Sequence, residues 1–167
     1  FEAETGERVS GRKAVIVCAV ERYSLAQSLA EADCQLIIGD LIYSLDIPIP
    51  LHTLRALDRV GKALLPIMRY LPIRFLYPTG KDQNLEKKGK GVQFLADAQI
   101  LAGDFHYIRK YLPQDLSGKI IITNTVTSDD RKVLAERGAS WLVTASPNLG
   151  GRSFGTNVIE ALVVALS

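Results

Sequence analysis

Short apolar runs that alternate with amphipathic stretches constrain this chain more than any other feature. Lys13-Ala-Val-Ile-Val-Cys-Ala19 is a continuous apolar run, the mark of a strand covered on both faces. Residues 21–32 follow with Leu25, Ala26, Leu29 and Ala30 at helical spacing. Gln35-Leu-Ile-Ile-Gly-Asp40 reads as a second buried strand. A connection interrupted by Pro48 and Pro50 leads into a helix over 51–70, with Leu54, Leu57, Leu64 and Leu65 inward. Pro66 is expected to kink that helix or end its regular part, because it removes a donor and clashes with the preceding turn.

The alternation continues with strands expected at 73–77, 99–104, 119–124 and 141–144. The polar segment 81–91 reads as a loop, a lid or the first turns of a helix ending near Ala96. Its cluster of Lys81, Lys87, Lys88 and Lys90 fits a solvated face or a phosphate clamp. Further helices are expected over 105–111, from Thr127 or Ser128 to Arg137, and over 157–166. Asp129 and Asp130 suit the first turn of the middle one, and Gly138 suits its C′ position. Six apolar strands alternating with helices require a parallel sheet with right-handed crossovers. The fold class is therefore α/β: a doubly wound, mostly parallel six-stranded sheet with helices on both faces, Rossmann-like. Residues 1–12 read as a tail or linker and 13–167 as one domain.

Composition narrows the function classes. The 47% hydrophobic and 23% charged content of these 167 residues is that of an ordinary globular domain. A net charge of +2 gives no polyanion footprint, so nucleic acid is not an expected partner. No apolar run reaches the roughly 18 residues a membrane span needs, so no membrane partner is expected either. Cys18 and Cys34 lack C-x-x-C spacing and read as buried free thiols in a reducing, cytoplasmic compartment. No metal-ligand spacing is present. A start at Phe1 followed by a polar stretch suggests a preceding N-terminal domain of the same protein.

In doubly wound sheets, ligands bind beyond the carboxyl ends of the strands, where strand order reverses. Small and polar residues gather there in this chain: Gly39 and Asp40, Thr79 and Gly80, Gly103 and Asp104, then Asn124. The two Gly-Asp pairs hold similar positions after apolar runs, an echo between two halves. The densest chemistry is the C-terminal loop Gly150-Gly-Arg-Ser-Phe-Gly-Thr-Asn157. Gly150, Gly151 and Gly155 permit close backbone approach, and Arg152, Ser153 and Thr156 add donors. A glycine-rich loop entering a helix suits an anionic small molecule or nucleotide, though it also suits a plain N-cap at Thr156 or Asn157.

The first strand-to-helix turn, Ala19-Val-Glu-Arg-Tyr-Ser24, holds no glycine and disfavours a conventional dinucleotide site. Asp40 stands where a ribose-binding carboxylate would lie, and equally where a turn residue would. Asp104 and His106 form a candidate acid–base pair; the alternative is a helix cap with a surface imidazole.

Gly39-Asp-Leu-Ile-Tyr43 with Pro48-Ile-Pro-Leu51, Leu76-Tyr-Pro-Thr-Gly80, Ala102-Gly-Asp-Phe-His-Tyr-Ile-Arg109 and the 150–157 loop resemble a bacterial family labelled quinate/shikimate 5-dehydrogenase. The resemblance covers nearly the whole chain and implies a Rossmann-like portion of an NAD- or NADP-dependent oxidoreductase acting on a cyclic hydroxy acid. True shikimate dehydrogenases differ at two points: their nucleotide glycine motif has no counterpart at 19–24, and their catalytic Lys and Asp have no matching positions. Two other functions stand beside this one. The chain could be a non-oxidoreductase binding or regulatory domain for an anionic small molecule, or an assembly domain forming a homo-oligomer through the helix over 157–166.

Overall fold

Five of the apolar runs become the strands of a single parallel sheet in the structure, a computed structural model that describes residues 2–68, 90–124, 126–145, 148–149 and 152–153. These are β1 (Lys13–Ile16), β2 (Gln35–Ile38), β3 (Ile100–Gly103), β4 (Ile120–Thr123) and β5 (Trp141–Thr144). Their order is β2-β1-β3-β4-β5, every pair parallel. The sheet thus has five strands among the described residues where six were expected; residues 73–77 lie outside them. A separate two-residue antiparallel ladder joins β6 (Asn148–Leu149) to β7 (Arg152–Ser153).

Helices close both faces, as continuous apolar strands require. They are α1 (Glu2–Thr5), α2 (Tyr23–Glu31), α3 (Asp40–Leu45), α4 (Leu54–Met68), α5 (Lys90–Asp97), α6 (Phe105–Lys110) and α7 (Ser128–Glu136). Strand pleating sends alternate residues to opposite layers. Val15, Ile37, Leu101 and Ile121 pack with Leu95, Phe105, Ile108 and Leu134 on one side. Ala14, Ile16, Ile38 and Ile100 pack with Ala26, Leu29, Leu41 and Leu57 on the other. The result is a Rossmann-like α/β arrangement.

Local chemistry sets the element ends. The helix expected from Thr127 or Ser128 opens with a capping box, in which the Thr127 hydroxyl accepts the Asp130 N–H and Asp130 accepts the Thr127 N–H. Gly138 follows that helix in a left-handed conformation at φ 83°. Pro66 lies inside α4, which runs on to Met68. Residues 2–5 form an unexpected short helix, and the Gln35 N–H at the start of β2 donates to the Arg12 carbonyl at 2.9 Å.

A second helix was not expected either. Asp40-Leu-Ile-Tyr-Ser-Leu45 forms α3 directly after β2, and Asp46 ends it at φ 59°. Six residues are too few for a periodicity to show against an apolar background, and Pro48 and Pro50 masked the turn. α3 carries Leu41 to one core layer and Tyr43 to the other. The Tyr43 ring stands edge-on to Tyr111 at 4.9 Å, and its hydroxyl donates to the Gly91 carbonyl at 3.0 Å. Tyr43 has room only because residue 39 is glycine: a Cβ there would lie 2.3 Å from the ring.

Gly103 closes β3 at φ 118°, a conformation side chains rarely adopt. An added Cβ would lie 2.8 Å from Val17 Cγ2 and 3.3 Å from the Val17 nitrogen. Gly103→Ala is therefore expected to cost about 1–3 kcal/mol, from backbone strain and from displacement of β1. Urea unfolding reads this directly, and a variant as stable as wild type would show that β3 ends without constraint.

Candidate functional site

The strand order reverses between β1 and β3, because β2 lies to one side of β1 and β3 to the other. Ligands of such sheets sit beyond the carboxyl ends at that point. Three polar side chains that reach this edge come from the ends of different strands: Arg22 after β1, Asp104 after β3 and Asn124 after β4.

Asp104 is the N-cap of α6, its Oδ1 accepting the His106 backbone N–H at 2.9 Å. Its Oδ2 lies 3.5 Å from Asn124 Nδ2 and 4.0 Å from Arg22 Nη2. Arg22 Nε is buried and finds no hydrogen-bond acceptor among the described residues. The His106 side chain is exposed and makes no hydrogen bond among them, so His106 meets Asp104 through its backbone and not through its imidazole. Arg109, three residues on, pairs with the buried carboxylate of Asp130.

Asp40 works in a different way. It is the first residue of α3, but its carboxylate reaches back to the β1–α2 turn. Oδ2 accepts the Ala19 N–H and Oδ1 accepts the Val20 N–H, each at 2.9 Å. Burial raises its pKa above the usual value; the amide hydrogen bonds oppose this, and nearby Glu21 adds to it.

Beside Asp40 opens a cavity of about 340 Å³, between the β1–α2 turn, α3 and α4. Its walls are mainly Leu41, Leu45, Leu51, Leu57, Val60 and Leu64. Cys18, Glu21, Asp40, Ser44 and Tyr107 are among the other lining residues. Val20, 64% exposed, also lines it. Burial pushes the Cys18 thiol up to about 12, with Glu21 and Asp40 adding to the rise, which favours the neutral thiol.

The expected site residues are thus distributed unevenly. Asp104 and Asn124 come together, whereas Asp40 stands apart on the β1–α2 turn. Arg152 and Ser153 form β7, pairing with Leu149 and Asn148. Thr79, Gly80, Gly150, Gly151, Gly155 and Thr156 lie outside the described residues, as does the helix expected over 157–166. The sequence reading missed Arg22 and the cavity. A charged side chain in a strand-to-helix turn without glycine was the available signal for Arg22. Among the described residues no three His, Cys, Asp or Glu side chains gather as a metal would need, and no helix is long and apolar enough to cross a membrane.

Asp40 generates a pH prediction. Its folded pKa lies above the unfolded value of about 3.8, so the folded state binds the proton more tightly. Its contribution to stability is fully present below 3.8 and is lost as pH rises through the folded pKa. Asp40→Asn lacks this titration and can accept from only one of the two amides, which should cost roughly 1–3 kcal/mol. Urea unfolding across pH 3.5 to 7 should show the stability gap between wild type and variant narrowing as pH rises. A widening gap would mean that the amide hydrogen bonds outweigh burial.

No curated protein and no solved structure matches the chain significantly. The family model described as Domain of unknown function (DUF8754) matches residues 1–167, and the chain belongs to that family.

Proposed function

We propose that this chain is a small-molecule-binding domain that holds its ligand at the carboxyl edge of the sheet, in the cavity beside Asp40. The observation that carries this reading is the position of the cavity. It is lined by the residues that follow β1 and β2, next to the strand-order reversal where open α/β sheets bind ligands. Its volume of about 340 Å³ suits a ring system or a short branched molecule.

The NAD- or NADP-dependent dehydrogenase implied by the quinate/shikimate resemblance is the second reading. The parallel sheet and a carboxylate after β2 favour it. The β1–α2 turn does not fit the cofactor in its usual mode, since no glycine admits the pyrophosphate and Asp40 already occupies two of the turn amides. Hydride transfer is therefore not assigned to any residue here. Calorimetric titration with NAD(H) and NADP(H) separates the readings; saturable binding of either would restore the dehydrogenase.

Gly61 supplies a test of the cavity that leaves the fold intact. It lines the cavity from α4, and an added Cβ meets no atom within 4 Å. Gly61→Leu should fill the space while stabilising the helix by roughly 0.5–1 kcal/mol, since glycine is a poor helix former. Wild type should bind the neutral apolar fluorophore N-phenyl-1-naphthylamine saturably, and the variant at least about tenfold more weakly. Equal binding by both proteins would place the probe elsewhere and remove the cavity from consideration.

A further inference from the structure

We propose that the ligand of this cavity is uncharged and carries no phosphate, because Asp40 supplies the anion that the β1–α2 turn would otherwise hold. The inference rests on the cavity being the binding site and names the ligand class it takes.

Two independent features of the edge support it. The first is occupancy of the turn. In dinucleotide-binding sheets the amides after the first strand face a phosphate. Here the Ala19 and Val20 N–H groups each donate to a different oxygen of the Asp40 carboxylate, at 2.9 Å. A carboxylate with two amide donors has the geometry of a bound anion, but it is delivered by the chain itself from the end of the neighbouring strand.

The second feature is the charge of the cavity. Among the described residues that line it there is no Lys, Arg or His, while Asp40 and Glu21 are both among them. An anionic group entering there would lose its water with no cation among the described lining residues to replace it. Arg22, the nearest basic residue in sequence, is directed to Asp104 instead. What remains for recognition is apolar contact with Leu41, Leu57, Val60 and Leu64. An uncharged hydrocarbon or aromatic body fits that set.

Two fluorophores with a shared body test the ligand class. N-phenyl-1-naphthylamine is neutral, and 8-anilinonaphthalene-1-sulfonate is the same body with a sulfonate. Wild type is expected to bind the neutral probe at least about tenfold more tightly. Equal or tighter binding of the sulfonate overturns the proposal. Binding of neither probe overturns the cavity reading and, with it, the ligand class.

The part assigned to Asp40 has its own readout, independent of any probe. Asp40→Ala vacates both amides, so inorganic phosphate can take the place of the carboxylate. At pH 7 and matched ionic strength, phosphate in place of chloride should raise the melting temperature of this variant by about 2–4 °C. Wild type and Asp40→Asn, which keep a side-chain oxygen in the turn, should not respond. If Asp40→Ala folds only in phosphate, the proposal is supported equally. A response shared by all three proteins, none in Asp40→Ala, or failure of that variant to fold in either salt overturns the role of Asp40.

Discussion

The carboxyl edge of this sheet depends on one contact, the Asp40 carboxylate lying on the amides of Ala19 and Val20. A turn between a buried strand and a helix leaves N–H groups that must find acceptors. Glycine-rich turns leave them for a ligand. The Ala19-Val-Glu-Arg-Tyr-Ser24 turn is crowded by side chains, so the acceptor comes from within the protein. The contact joins residues about twenty positions apart and ties the end of β1 to the start of α3. α3 then sends Leu41 into the layer shared with α2 and α4, and Tyr43 into the layer shared with α5 and α6. Both layers are anchored through one short helix.

This arrangement divides the edge into two chemical zones. Beyond β1 and β2 the surface is apolar, with a thiol kept neutral by its burial. Beyond β3 and β4 it is polar: Asp104 caps α6, contacts Asn124 and faces Arg22, while Arg109 pairs with Asp130 at the start of α7. Charges in the second zone have partners from neighbouring loops and serve mainly to hold helix ends in place. The first zone has open volume instead. Pairing and vacancy thus point to opposite halves of the same edge, which is why the candidate pocket and the candidate acid–base residues do not coincide.

Much of the fold could be read from the residues because its signals are local. Continuous apolar runs marked β1 to β5, and Thr127 with Asp130 marked the start of α7 through a contact three residues long. α3 escaped because a helix of six residues shows no period within an apolar stretch. The site was legible only in position. Asp40, Asp104 and Asn124 were singled out because they follow strands, yet nothing in the sequence says where a carboxylate will point once strands are paired. The cavity was invisible for a similar reason. Its walls join Cys18 to Leu64 and Tyr107, residues that only the tertiary packing of α3, α4 and α6 brings to one space.

The two Gly-Asp pairs show how far such a signal reaches. Gly39-Asp40 and Gly103-Asp104 each link a strand to the helix that follows it, so the echo in the sequence reflects an echo in the fold. The two glycines serve different ends: Gly39, at φ −101°, makes room for the Tyr43 ring, whereas Gly103, at φ 118°, lets the chain pass close to Val17. The aspartates diverge as well. Asp104 turns onto its own helix and takes the His106 N–H, as an N-cap does in any helix. Asp40 lies within the first turn of α3 and faces β1, where two amides of another turn are within reach. The same dipeptide therefore gives a local cap next to β4 and a long-range tie next to β1. What differs is the partner within reach: Asp40 meets the two amides of the β1–α2 turn, whereas Asp104 meets an amide of its own helix.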